Sequence, residues 1–187
     1  MDIGSTSDKT AIADIVELPD NTLFVADIAM LNKASYEHQL QVLKEKHEKM
    51  HYKAGYIDAN GIGSALSEFA TKQVSSLIKG YTWTSSNKTP AYENLRAKIF
   101  DHKLKFAAHL KPLITQDFQN VHRVVNEAGN VKYEAGRDSN GHSDATSAVV
   151  LGLEAAKAHP TQLAMPQAEA IKSVFGPMPF GGSRLFR

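Results

Sequence analysis

The sequence predicts a mixed α/β domain in which helices flank a mixed β-sheet. Two strand-like segments open the chain, a strand–glycine turn–helix unit follows, and helices and strands alternate after it. The predicted order is β-β, α, β-α, β, α, ββ, α. The 187 residues fit one domain, which we place at 1–160, followed at 161–187 by a helix and a flexible basic tail.

The first half of the chain carries clear boundary signals. Apolar, partly β-branched residues predict strands over 10–18 and 22–31, and the turn at Pro19 makes them a hairpin. Ser35 is a predicted N-cap for a helix that ends near Met50. The crossover unit then consists of a strand at 54–58, a glycine turn at 59–63 and a helix at 64–74.

The second half is predicted from similar patterns. They indicate a strand at 77–84, a helical stretch at 87–118 broken near Pro112, a hairpin of 121–126 with 131–135, a loop at 137–141, a helix at 142–159 and a short helix at 167–175.

The composition excludes several classes of protein. With no cysteine, the chain has no disulfide, cysteine-ligated cluster or thiol nucleophile. The net charge of +1 argues against a polybasic binder, although it allows a local basic groove. Unbroken apolar runs are far shorter than the ~20 residues that span a bilayer, and the first residues do not resemble a signal peptide. We therefore expect a soluble cytoplasmic protein with no membrane partner.

Three aspartates stand where a sheet can present side chains to one cleft. Asp2 precedes the hairpin, Asp58 ends a buried strand, and Asp144 lies in the first turn of a helix. Carboxylates gathered from distant segments repel one another unless a cation is bound, and Mg²⁺ and Mn²⁺ prefer oxygen ligands. Two such ions can promote phosphodiester cleavage. Taken singly, each aspartate also fits a turn former or a helix cap.

Basic side chains recur on two helical segments. One group consists of Lys44, Lys46, Lys49 and Lys53, and a second consists of Lys98, Lys103, Lys105 and Lys111. Each fits either a solvated helix face or a contact with a nucleic-acid backbone.

In their order and surroundings these motifs resemble a known family. Segments 2–11, 56–63 and 141–145 look like the metal-binding motifs of the nuclease domain of phage terminase large subunits, as do 92–100 and the hairpin before the last motif. The resemblance covers about residues 2–158. It implies an RNase H-like fold and a metal-dependent endonuclease that cuts concatemeric viral DNA during genome packaging.

The resemblance also implies roles for individual residues. Asp2 would bridge two Mg²⁺ or Mn²⁺ ions, Asp58 would bind one of them and Asp144 the other. Asp8 would be an accessory metal ligand, with a plain loop residue as the alternative. His142 would orient the phosphate, a water or Asp144, or would simply be a histidine at a helix start.

The loop before His142 adds two charged residues. Arg137 would contact a phosphate or be solvated, beside Asp138.

The implied partners are double-stranded DNA, a packaging ATPase, and possible portal and small terminase subunits, in the cytoplasm of a bacterial host. The sequence contains no G-x4-GK[ST] motif, so we expect the ATPase domain to be missing from this chain. Only Met1 precedes Asp2, whereas the family has an apolar strand there, so we expect a truncated first strand.

Two alternatives follow. One is a catalytically weak remnant that binds DNA or assists assembly. The other is an actin-like sugar kinase fragment, since segment 2–7 also resembles a phosphate motif of that superfamily.

Overall fold

The computed structural model describes residues 1–4, 9–136 and 143–160. In chain order the elements are β1 (Lys9–Glu17), β2 (Leu23–Asn32), α1 (Tyr36–Met50), β3 (Gly55–Asp58), α2 (Gly63–Gln73), β4 (Ile78–Tyr81), α3 (Ser85–Phe100), β5 (Leu104–Phe106), a 3-10 turn (Ala108–Leu110), α4 (Lys111–Gln119), β6 (Val121–Val125), β7 (Val131–Ala135) and α5 (Asp144–Ala158).

A short N-terminal segment joins two sheets into one layer. Strands β1 and β2 pair antiparallel and β5 pairs parallel to β2, while β3 and β4 form a separate parallel pair. Asp2 exchanges both backbone hydrogen bonds with Ala11 of β1, at 2.9 and 3.0 Å. On its other side, the Met1 carbonyl accepts from the Asp58 N–H of β3 at 3.0 Å. Residues 1–2 therefore connect β1 to β3, which gives the mixed sheet that the sequence predicts.

The two faces of this sheet are covered by different helices. Ala11 of β1 packs into a core formed with α3, α4 and α5, whereas its neighbour Ile12 packs into a second core with α1 and α2. This alternation follows from the two-residue period of a β-strand. A bulge lies where Asp14 and Ile15 pair with Asp27 and Val25.

Most predicted elements are confirmed. Ser35 caps α1 as expected, with its hydroxyl accepting from the His38 N–H. The opening hairpin, the crossover unit and the β6–β7 hairpin all lie close to the predicted positions. The predicted start of the last helix at residue 142 and the helix at 167–175 lie outside the described residues, so the domain boundary near 160 stays a prediction.

The predicted helical stretch over 87–118 is only partly correct, because a short strand and a 3-10 turn separate its two helices. Helix α3 begins earlier, where Thr84 and Asn87 form a capping box, and it ends at Phe100. Leu104–Phe106 then adds to the edge of β2, and Pro112 lies in the first turn of α4, where its missing N–H costs nothing. A three-residue strand is too short to show a periodicity of its own, so its apolar positions were included in the helical stretch before the predicted break near Pro112.

Two smaller differences concern a strand end and a lysine. Trp83, predicted within a strand, follows β4, which ends at Tyr81. Lys46 is not on a solvated face, because its ammonium contacts Asp14 and Asp27 at 2.8 Å each. No helix in residues 1–4, 9–136 and 143–160 is long and apolar enough to cross a bilayer.

Candidate metal centre

Asp2 lies at the middle of the joined sheet. Its backbone is held by Ala11 on one side, and Met1 is held by Tyr56 and Asp58 on the other. Gly4 is also held against β1, since its N–H donates to the Thr10 hydroxyl at 2.9 Å. The Asp2 side chain therefore projects from a backbone that is hydrogen-bonded on both sides.

Asp58 ends the neighbouring strand, β3. Its Oδ1 accepts from the Asn60 N–H at 2.9 Å, which starts the turn into α2. Gly61 has a φ of +58°, and a Cβ on Gly63 would lie 2.0 Å from the Asp58 carbonyl oxygen. The glycine turn of the sequence thus has two distinct causes: a left-handed residue and a close approach of helix to strand.

Asp144 is brought to the sheet by α5. This helix packs against β1 and β3, and Asp144, its first residue, is only 8% exposed. The preceding Ser143 adopts left-handed backbone angles, with φ at 65°. Glycine precedes this histidine–serine pair in the sequence, but the geometry of residues 137–142 lies outside the described residues.

The Asp2 carboxyl lies within electrostatic reach of the other two carboxylates. The pKa of Asp2 is raised to about 7, chiefly by burial and next by the negative charges of Asp144 and Asp58. Burial also raises the pKa of Asp58, against the Asn60 N–H, the N-terminal ammonium and Lys88. The burial of both carboxyls, and the repulsion that Asp2 experiences, are what a bound divalent cation relieves.

Three residues near the site were not singled out from the sequence. The Ser147 hydroxyl is close enough to the Asp2 carboxyl to lower its pKa by hydrogen bonding, and the Tyr92 hydroxyl lies 3.1 Å from Ser147 Oγ. Burial raises the pKa of Tyr92 to about 12, so it remains a neutral donor. Ser147 stands three residues after Asp144, on the same helix face, and that spacing is the signal that could have found it.

Lys88 is the third residue, and it brings positive charge to the site. It lies in the first turn of α3, close enough to Asp58 to lower the pKa of that carboxyl. The Asn60 side chain fixes this region, since it donates to the Trp83 carbonyl at 3.2 Å and accepts from the Trp83 N–H at 2.7 Å. The loops after β3 and β4 are thereby tied together beside Asp58.

The donor set fits hard divalent cations, with few protein ligands for each ion. In the described part of the chain, no three histidine or acidic side chains form a group that could ligate one ion. Mg²⁺ often takes only one or two protein carboxylates and keeps several waters and phosphate oxygens, so a site for this ion does not require a group of three. The other predicted site residues, Asp8 and His142, lie outside the described residues, as do Arg137 and Asp138.

Comparison with known proteins places the fold. No protein-family model matches the chain, and no curated protein sequence is significantly similar to it. The large terminase nuclease from thermophilic phage G20c with bound magnesium is similar in structure, with a TM-score of 0.60 and 18% identity over 81% of this chain and 77% of that one.

Two further terminase structures are also similar in fold to this chain. The Thermus phage P74-26 large terminase nuclease domain has a TM-score of 0.57 and 16% identity over 84% of this chain and 82% of that one. The HK97 bacteriophage large terminase has a TM-score of 0.60 and 15% identity, with 78% of this chain matching 36% of that one. The chain therefore has the RNase H-like fold of phage large terminase nuclease domains.

Proposed function

We propose that this chain is a metal-dependent endonuclease that cuts concatemeric viral DNA during genome packaging. One observation supports the proposal: the Asp2 carboxyl on the central sheet, whose pKa is raised to about 7 chiefly by burial, is also within reach of the negative charges of Asp144 on α5 and of Asp58. The shared fold supports it, as does the magnesium bound to the G20c nuclease. The implied host compartment is the bacterial cytoplasm.

In this proposal two ions, Mg²⁺ or Mn²⁺, are held mainly by the three aspartates. Asp2 would be a ligand to both ions, Asp58 to one and Asp144 to the other, with Asp8 as an accessory ligand. Such ions activate a water and stabilise the leaving oxygen of a phosphodiester.

The remaining residues position the reacting groups. Ser147 and Tyr92 orient the Asp2 carboxylate, and Lys88 places a positive charge beside Asp58, where a DNA phosphate would lie. His142 orients the phosphate, a water or Asp144. The proposed partners are double-stranded DNA and a packaging ATPase, with portal and small terminase subunits as further contacts.

The test is cleavage of supercoiled plasmid with Mn²⁺ or Mg²⁺, comparing the native chain with Asp58→Asn and Asp144→Asn. Each variant should lose cleavage by at least about 100-fold, because each loses a charged ligand. Asp101→Asn, at the exposed end of α3, is the matched control and should cut like the native chain.

Equal cleavage by the site variants would mean a contaminating nuclease and would contradict the proposal. No cleavage by the native chain, with DNA binding retained, would favour a DNA-binding or assembly module instead.

A further inference from the structure

The first turn of α5 lacks a cap of its own. Ser143 occupies the N-cap position, but its backbone is left-handed and its side chain makes no cap hydrogen bond. Its Oγ is buried without a hydrogen-bond partner. A serine at this position normally accepts from the N–H of the second or third helical residue. Another group must therefore hold the start of this helix.

Asp117, from the neighbouring helix α4, supplies the missing acceptor. Its Oδ2 accepts from both the backbone N–H and the hydroxyl of Thr146, each at 2.7 Å. Thr146 is the third residue of α5 and is only 1% exposed. The carboxylate also places negative charge at the helix N-terminus, where the helix dipole favours it.

The residue that Asp117 holds lies between two residues of the metal centre. Asp144 and Ser147 are three positions apart and share one face of α5, toward Asp2, whereas Thr146 is turned by roughly 160° from Asp144 toward α4. A fixed Thr146 therefore fixes the rotation of the turn that presents both the Asp144 carboxylate and the Ser147 hydroxyl.

We propose that Asp117 is a positioning residue for the metal centre, acting through Thr146 on Asp144 and Ser147. This inference rests on the proposed function. In this proposal Asp117 does more than pack α4 against α5. Its two hydrogen bonds fix the first turn of α5, and the orientation of that turn decides whether Asp144 faces Asp2. Removal of a partner that orients a metal ligand typically weakens metal affinity about 10- to 100-fold.

The experiment measures Mn²⁺ binding to the full chain by calorimetry, without DNA. Asp117→Leu should bind Mn²⁺ at least about 10-fold more weakly than the native chain, whereas Asp117→Asn, which keeps an acceptor oxygen, should recover most of that loss. Thr146→Val, which removes only the hydroxyl, should show a smaller loss of roughly threefold and keeps the test open if Asp117→Leu does not fold.

Leu43→Ala is the control for stability alone, because Leu43 packs in the other core, with α1 and α2. If Asp117→Leu weakens Mn²⁺ binding no more than Leu43→Ala at the same loss of melting temperature, the positioning role is overturned. Mn²⁺ binding that is abolished by Asp144→Asn but unchanged in Asp117→Leu and Thr146→Val would overturn this role alone. A native chain that binds no Mn²⁺ would contradict the proposed function as well.

Discussion

At the scale of single residues, Asp2 shows which properties of a site residue can be predicted from the sequence and which cannot. Its acidity, its place before the hairpin and its grouping with Asp58 and Asp144 were readable from residue types and spacing. Its hydrogen bond with Ser147 was not, because that contact depends on the rotation of α5 over the sheet. Contacts of this kind, between residues far apart in the sequence, can be identified only from the tertiary structure.

Replacement of Asp2 by asparagine should stabilise the metal-free protein at high pH. Folding raises the pKa of Asp2 from its ordinary value of 3.8 to about 7, so ionised Asp2 destabilises the native state increasingly as the pH rises through that interval. Since each pKa unit corresponds to ~1.4 kcal/mol, and partial exposure reduces the effect, we expect Asp2→Asn to gain about 2 kcal/mol at pH 8 and little at pH 4.

Urea unfolding in EDTA at both pH values measures this difference. Added Mn²⁺ should reverse the order at pH 8, stabilising the native chain more than the variant. A gain that is equal at pH 4 and pH 8 would show that the effect is not one of charge.

Gly63 should tolerate no side chain. A Cβ there would lie 2.0 Å from the Asp58 carbonyl oxygen, so either α2 or Asp58 must move. We expect Gly63→Ala to lower the free energy of unfolding by about 3 kcal/mol and to reduce cleavage together with it. Gly55→Ala is the comparison, because the nearest atom to its Cβ would be a side-chain carbon of Ile78, at 3.3 Å. Similar losses in the two variants would argue against a specific clash at Asp58.

At the scale of elements, the sequence identified those with strong local signals. The opening hairpin, α1 and the crossover unit have caps, turns or alternating patterns of their own. Strand β5 was missed because its pairing with β2, and not its three residues, makes it a strand. The inward orientation of Lys46 was missed for a similar reason, since its partners lie on β1 and β2.

The charged cluster around Lys46 should fasten α1 to the opening hairpin. Its ammonium contacts Asp14 and Asp27, and the Tyr52 hydroxyl donates to Asp14, which is only 4% exposed. Loss of the lysine leaves the Asp14 charge buried beside a second carboxylate. We expect Lys46→Met to lower the free energy of unfolding by about 3 kcal/mol, measured by urea denaturation.

Lys44 provides the matched control, because it is exposed on the same helix. Lys44→Met should change stability by less than about 0.5 kcal/mol. If the two variants lose the same stability, the cluster contributes nothing specific. Lys46→Met should weaken DNA binding only as far as it destabilises the fold, because the Lys46 ammonium is already paired with Asp14 and Asp27.

At the scale of the whole molecule, the sheet depends on a contact between distant parts of the chain. Residues 1–2 join β1 to β3, and the same contact places Asp2 beside Asp58. Fold and candidate site are thus built by one set of backbone hydrogen bonds. The sequence predicted a mixed sheet from the order of its elements, but the joining of two strand groups by so short a segment could only be seen in the structure.

The overall charge predicts how such a molecule binds DNA. With a net charge of +1, the chain has no general attraction for a polyanion, so binding must come from local cations such as Lys88 beside the acidic centre. Contacts of this type are made to phosphates and carry little sequence information. We expect cleavage with little sequence preference and DNA affinity that falls steeply between 50 and 200 mM salt, measured by fluorescence anisotropy on duplexes of unrelated sequence.

The Lys88→Gln variant makes this prediction specific. If its ammonium contacts one phosphate, the variant should bind every duplex more weakly by a similar factor and should lower the slope of log affinity against log salt by about 1. Lys44→Gln, exposed on the opposite side of the sheet with α1, should leave the slope unchanged. A slope that is the same in both variants would remove Lys88 from the DNA contact, and strong discrimination between duplexes would show that bases, and not phosphates, determine binding.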